Sequence, residues 1–174
     1  MKKRSILFLG TLLFAACQNK EAATTTDAKS DTTTYPYTIK DSEKWEMNTD
    51  SKNLLVAMNA VKAFENRDTA ALKPFIGDSI NLMVDGYEFK GLRADFIKSA
   101  QEEMNKYKSI TVKMEDAESV TNKDKSKQWV SLWYKQYVED KDGKKDSASF
   151  FNDLKIKDGK VVIWSEYVQR AMKK

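Results

Sequence analysis

The chain is predicted to form an α+β domain, and three observations carry that reading. Apolar residues recur at three- and four-residue spacing in two stretches of its first two thirds. Alternating apolar and polar residues dominate the last third. Asp-Gly pairs at 85–86, 142–143 and 158–159 stand between alternating stretches, where a tight hairpin needs residues that tolerate positive φ. Helices placed ahead of a meander of strands describe one antiparallel sheet with helices to one side, not repeated βα units.

Each element has a local reason. Pro36 in Tyr35-Pro36-Tyr37 forces an extended or turn conformation, so order is expected from about residue 35, with Trp45 and Met47 as packing residues. Asn48–Ser51 offers helix-capping side chains, and Leu54, Ala57, Met58, Val61 and Phe64 then form one apolar helical face. Asn66-Arg67-Asp68 ends that helix, and a short helical turn through Ala70–Leu72 stops at Pro74. Ile80, Leu82 and Val84 alternate through a strand over Ser79–Val84, and Tyr87–Lys90 returns across the Asp85-Gly86 turn. After Gly91, the residues Leu92, Phe96, Ala100, Met104 and Tyr107 share one side of a second long helix. Strands are expected over Ile110–Met114 towards Val120, then Gln128–Val138, Ser147–Ile156 and Lys160–Val168. Asn122–Lys127 and Glu139–Asp146 read as solvated hairpin tips.

Composition removes several functions. The chain has no histidine, which excludes a Ser-His-Asp or Cys-His nucleophile, a histidine base and a histidine-bound zinc. Asp140 and Asp142 lack the ligand spacing of a calcium loop, and no glycine-rich phosphate loop occurs. Neither a metal nor a cofactor is therefore expected. Lys2, Lys3 and Arg4 carry most of the formal +4 charge, and the remainder interleaves acids and lysines. Such a surface offers no concentrated basic face for nucleic acid.

The first residues, MKKRSILFLGTLLFAAC, have a positive start, an apolar run over Ile6–Phe14, and small residues before Cys17. They resemble a bacterial lipoprotein signal, with Phe14 where the lipobox usually has Leu. That resemblance implies cleavage after residue 16 and acylation of Cys17, the only cysteine, so the bilayer becomes a partner through the lipid. Gln18 after the cysteine, rather than Asp, resembles the sorting pattern for the outer membrane of the cell envelope. Residues 17–34 (from Gln18, QNKEAATTTDAKSDTTT) contain no large apolar side chain and are expected to act as a disordered tether. The organisation is thus a signal peptide over 1–16, an acylated tether over 17–34 and one domain over 35–174.

The order of elements, with VDGYEFKG after the first helices, Gly91 before a helix, and KIKDGKVVIWSEYVQ near the end, resembles the nuclear-transport-factor-2-like superfamily and its SnoaL-like group. The segment YPYTIKDSEKWEM is similar to a lipoprotein subset of it. The resemblance implies a cone: a curved antiparallel sheet wrapped around two to three helices, with a pocket at the open end. It also implies frequent pairing into homodimers through the sheet, and enzymes that use an Asp, an Asp–His pair or a Tyr inside the cone.

Candidate site residues follow from strand phase. In QWVSLWYKQYV, Trp129, Ser131, Trp133, Lys135 and Tyr137 share one face, while Val130, Leu132, Tyr134, Gln136 and Val138 share the other. Neither set is plainly solvent-facing, so core, interface and ligand roles stay open for both. A ligand-binding reading takes Trp133, Tyr137, Asn152 and Trp164 as pocket residues. The strand acids are Asp85, Asp153 and Glu166. Asp85 is the first residue of a turn, Asp153 lies among Phe151, Asn152 and Leu154, and Glu166 is opposite in phase to Tyr167. Asp153 and Asp85 are the catalytic candidates. The expected role is a membrane-anchored, non-catalytic domain that binds a small, largely apolar ligand or a protein partner. A histidine-free isomerase or dehydratase using a pocket Asp is the alternative, and a structural envelope component is the second.

Overall fold

The structure, a computed structural model, describes residues 34–40 and 43–170. The chain divides into two compact units, Met1–Lys40 and Asp41–Lys174. The segments expected to act as a signal sequence and, up to residue 33, as a tether, with Cys17 between them, lie outside the described residues. Of the first unit, residues 34–40 are exposed and carry no helix or strand.

The second unit runs β1 (Trp45–Met47), α1 (Lys52–Glu65), α2 (Thr69–Leu72), a 3-10 turn (Lys73–Phe75), β2 (Ile76–Val84) and β3 (Tyr87–Leu92). It continues with α3 (Arg93–Met104), β4 (Tyr107–Asn122), β5 (Gln128–Asp140), β6 (Lys145–Lys157) and β7 (Lys160–Arg170). The seven strands form one sheet in the order β1-β4-β5-β6-β7-β2-β3. Every pair is antiparallel except β2 with β7, which run parallel. The α+β cone class therefore holds, in a mixed sheet. Hairpin signals define β2–β3 and β4–β7 as separate runs. The seam between them joins strands far apart in sequence, and no local pattern marks it.

The sheet bends where its registers slip. Slips fall between Met114 and Asp116 in β4, and between Lys155 and Ile156 in β6. An extra residue in one strand of a pair bends that strand and increases its twist. The helices pack on the inner face. Ala57, Ala60 and Val61 of α1 and Phe96, Ala100 and Met104 of α3 are buried against Val130, Leu132 and Tyr134 of β5, Leu154 and Ile156 of β6, and Trp164 of β7. Asp68 caps α2, accepting a hydrogen bond from the Ala71 backbone N–H at 2.9 Å.

Four residues sit elsewhere than their local pattern suggests. Trp45 and Met47 are exposed on the edge strand β1 rather than packed. Leu92 pairs with Ser79 at the end of β3, and α3 begins one residue later. Tyr107 opens β4, because α3 stops at Met104. Asp85 and Gly86 both have positive φ (42° and 84°), as do Asp158 and Gly159 (51° and 68°), matching the two-residue turns that Asp-Gly pairs favour. Among the described residues, no helix is long and apolar enough to cross a membrane.

Candidate functional site

A cavity of about 320 Å³ opens between the inner face of the sheet and helices α1 and α3. Its walls are mainly apolar: Val61 and Phe64 from α1, Leu82 and Val84 from β2, Phe96 and Ala100 from α3, and Phe150 from β6. Strand period two explains the sheet contribution. On β7 it turns Trp164, Glu166 and Val168 inward together, and on β5 it turns Tyr134 and Gln136 inward. The Tyr134 ring stacks on Phe150 with centroids 5.3 Å apart.

The polar floor is a connected network. Asn152 of β6 is fully buried. Its carboxamide oxygen accepts a hydrogen bond from the Trp164 indole N–H, and its Nδ2 donates to the Tyr134 hydroxyl at 2.8 Å. Glu166 lies beside both Asn152 and Tyr134, whose polar groups act on its carboxyl. Burial disfavours its charged form and pushes the Glu166 carboxyl up to about 7; the negative Glu103 adds to the rise, and Asn152 and Tyr134 oppose it. The Tyr134 hydroxyl is held well above its ordinary value, by burial first and then by the Glu166 charge. At the cavity wall, the Tyr107 hydroxyl donates to Glu103 Oε1 at 3.2 Å, and Lys106 pairs with the other oxygen at 2.6 Å. Arg170 lines the cavity and forms an ion pair with Asp85 at 2.9 Å.

Of the sequence-predicted site residues, the structure brings Trp164 and Asn152 together here. Trp164 lines the cavity, and Asn152 lies behind it, holding Trp164 and Tyr134 in place. Trp133 and Tyr137 point to the outer face of the sheet. Trp133 packs on Phe151 and Phe151 on Tyr167, with centroids 5.0 and 5.7 Å apart, and Tyr137 lies beneath Lys113 and Lys135. Asp153 is on that outer face too, half-buried and accepting from the Ser131 hydroxyl at 3.0 Å. Burial raises its pKa, and the Ser131 bond opposes the rise. Asp85 occupies the β2–β3 turn, away from the floor. The acid on the polar floor of the cone is Glu166, which sequence reasoning named but did not choose. Its signal was phase: two residues from Trp164, it must share that residue's face.

The floor provides one carboxyl that changes charge near neutrality, one buried phenol and one oriented amide. It can donate or accept a proton at Glu166 and hold an oxygen atom of a ligand against it. Among the described residues, no group of three or more acidic, cysteine or histidine side chains could hold a metal.

No protein-family model and no curated protein matches the chain. Solved structures do. AusH from Aspergillus nidulans aligns with a TM-score of 0.58 at 18% identity, over 72% of this chain and 89% of its own. An LEH-like epoxide hydrolase from M. tuberculosis aligns at 0.58 and 12%, over 70% and 86%. A nuclear-transport-factor-2-like protein of unknown function from Burkholderia pseudomallei aligns at 0.56 and 11%, over 69% and 92%. Likeness at such identities shows a common fold, and one fold serves many activities.

Proposed function

We propose that this chain, whose domain has the nuclear-transport-factor-2-like fold, is a lipid-anchored envelope protein that binds a small, largely apolar molecule in its cone. The observation that carries the reading is the cavity itself, apolar along its walls and closed at one end by the Glu166–Tyr134–Asn152–Trp164 network. Apolar walls with a few convergent polar groups are what small-ligand sites are built from. Burial against such walls gives about 25 cal/mol per Å² before association costs, and the floor adds orientation. Anchoring rests on the lipobox-like stretch ending at Cys17.

A second reading is favoured by one observation. A carboxyl held near 7 at the floor of an apolar-walled cavity is poised as a general acid or base. Among the structural neighbours is an epoxide hydrolase, and a histidine-free acid–base reaction through Glu166 would use the same floor. The site residue is then Glu166, in place of Asp153 or Asp85.

Filling the cavity tests the binding reading. Ala100 lines it and is buried, so Ala100→Leu places three more carbons in the ligand's space. A neutral naphthyl ketone dye is expected to shift its emission to the blue with the native chain, and to bind at least about tenfold more weakly to the variant. Equal binding by two equally folded chains would place the dye elsewhere and defeat the reading.

A further inference from the structure

We propose that Trp164 is the specificity-determining residue of this cavity: its indole fixes which way round the Asn152 carboxamide lies, and thereby makes the floor offer a donor, not an acceptor, to the ligand. The inference rests on the ligand-binding reading and adds which ligand polarity the pocket selects.

An indole N–H donates and cannot accept. Asn152 is fully buried, so its Oδ1 is committed to Trp164 and its Nδ2 is turned to Tyr134, with Glu166 beside the amide. Turned over, the amide would set its own N–H against the indole N–H, two buried donors face to face.

Counting protons gives the consequence. Neutral Glu166 and Tyr134 carry one O–H each, and at most one of these two protons can be taken up between the two groups themselves. The amide offers them protons only, so the second O–H finds no acceptor among Asn152, Tyr134 and Glu166 and is directed into the cavity, which Gln136 of β5 and Ser99 of α3 also line. The other charged or titratable groups facing this pair do not absorb it. Glu103 from α3 acts on Glu166 through charge alone, the Tyr107 hydroxyl of β4 donates to Glu103, and Arg170 of β7 is paired with Asp85. Tyr87 of β3 lines the cavity without a bond to the pair. A ligand with an oxygen acceptor completes the network; one with only a donor leaves it unsatisfied. Without the indole, the amide is free to turn its Oδ1 to the pair, take up the surplus proton, and leave lone pairs facing the ligand.

Two bicyclic probes of similar size separate these states: 1-indanone, which only accepts, and indole, which only donates. In NMR titrations of the full chain at about pH 5.5, where Glu166 is neutral, the native protein should bind 1-indanone about tenfold more tightly than indole. Trp164→Phe should bring the ratio to about one or below, and Trp164→Phe combined with Asn152→Leu should restore it, because no amide remains to turn. An unchanged ratio in Trp164→Phe would overturn the proposal. If the variants do not fold, the native chain decides the matter through its Asn152 side-chain amide protons. Contacts to the Tyr134 ring support the fixed orientation, and contacts to the Trp164 indole N–H in their place overturn it. Failure of both probes to bind the native chain defeats the ligand-binding reading, and the amide contacts still report on the lock.

Discussion

Glu166 loses its proton at about pH 7 in the folded chain and near 4.5, its ordinary value, in the unfolded one. Between those values the folded state holds more protons, so the stability tied to Glu166 is fully present below about pH 4.5 and is lost as the pH rises through 7. Glu166→Gln removes this dependence. Urea denaturation should find the variant similar to the native chain at about pH 4, and more stable by on the order of 2–3 kcal/mol at about pH 8. A difference independent of pH would refute the buried-acid assignment. The residue was legible in part. Its phase with Trp164 follows from strand geometry, but its burial depends on helices far from it in sequence covering the inner face of the sheet, and no short window of sequence contains that packing. Asp153 shows the converse. It lies beside Asn152 in sequence, and one residue of strand puts it on the other side of the sheet.

At the scale of elements, local chemistry was readable wherever it acts alone. The Asp-Gly turns at 85–86 and 158–159 formed where expected, because positive φ is a property of those residues themselves. The two faces of β5 were readable as sets. Which set turns inward was not, since both carry aromatics and α1 and α3 decide the matter from a distance. The β2–β7 seam was unreadable for the same reason, and it has a sensitive point at Gly77. A Cβ there would lie 2.9 Å from Val162 Cγ1 and 3.2 Å from the Ser79 carbonyl oxygen, with backbone on one side and a branched side chain on the other. Gly77→Ala should therefore cost about 1–3 kcal/mol in thermal or urea unfolding. A cost near zero would mean that the seam relaxes freely.

For the whole molecule, the outer sheet face is the open question of partnership. Trp133, Phe151 and Tyr167 form a row of packed rings, and Tyr167 is 61% exposed. We propose that a second copy covers this row, since aromatic surface of this kind is seldom left to solvent. Sedimentation at micromolar concentration should show a symmetric pair, and Tyr167→Glu should shift it to monomer; a native chain that sediments as monomer removes the pairing. Attachment has its own check. Cys17→Ser should move the protein out of the membrane fraction, and unchanged membrane retention would rule out the acyl anchor.

The parallel seam also governs the order in which the molecule can be made. β2 and β3 can close their hairpin early, but β7, the other neighbour of β2, is the last strand among the described residues. Bringing those two together closes a loop that contains α3 and three long strands, an entropic debt that only late contacts repay. A chain synthesised from its N-terminus thus reaches β7 with the cone still open.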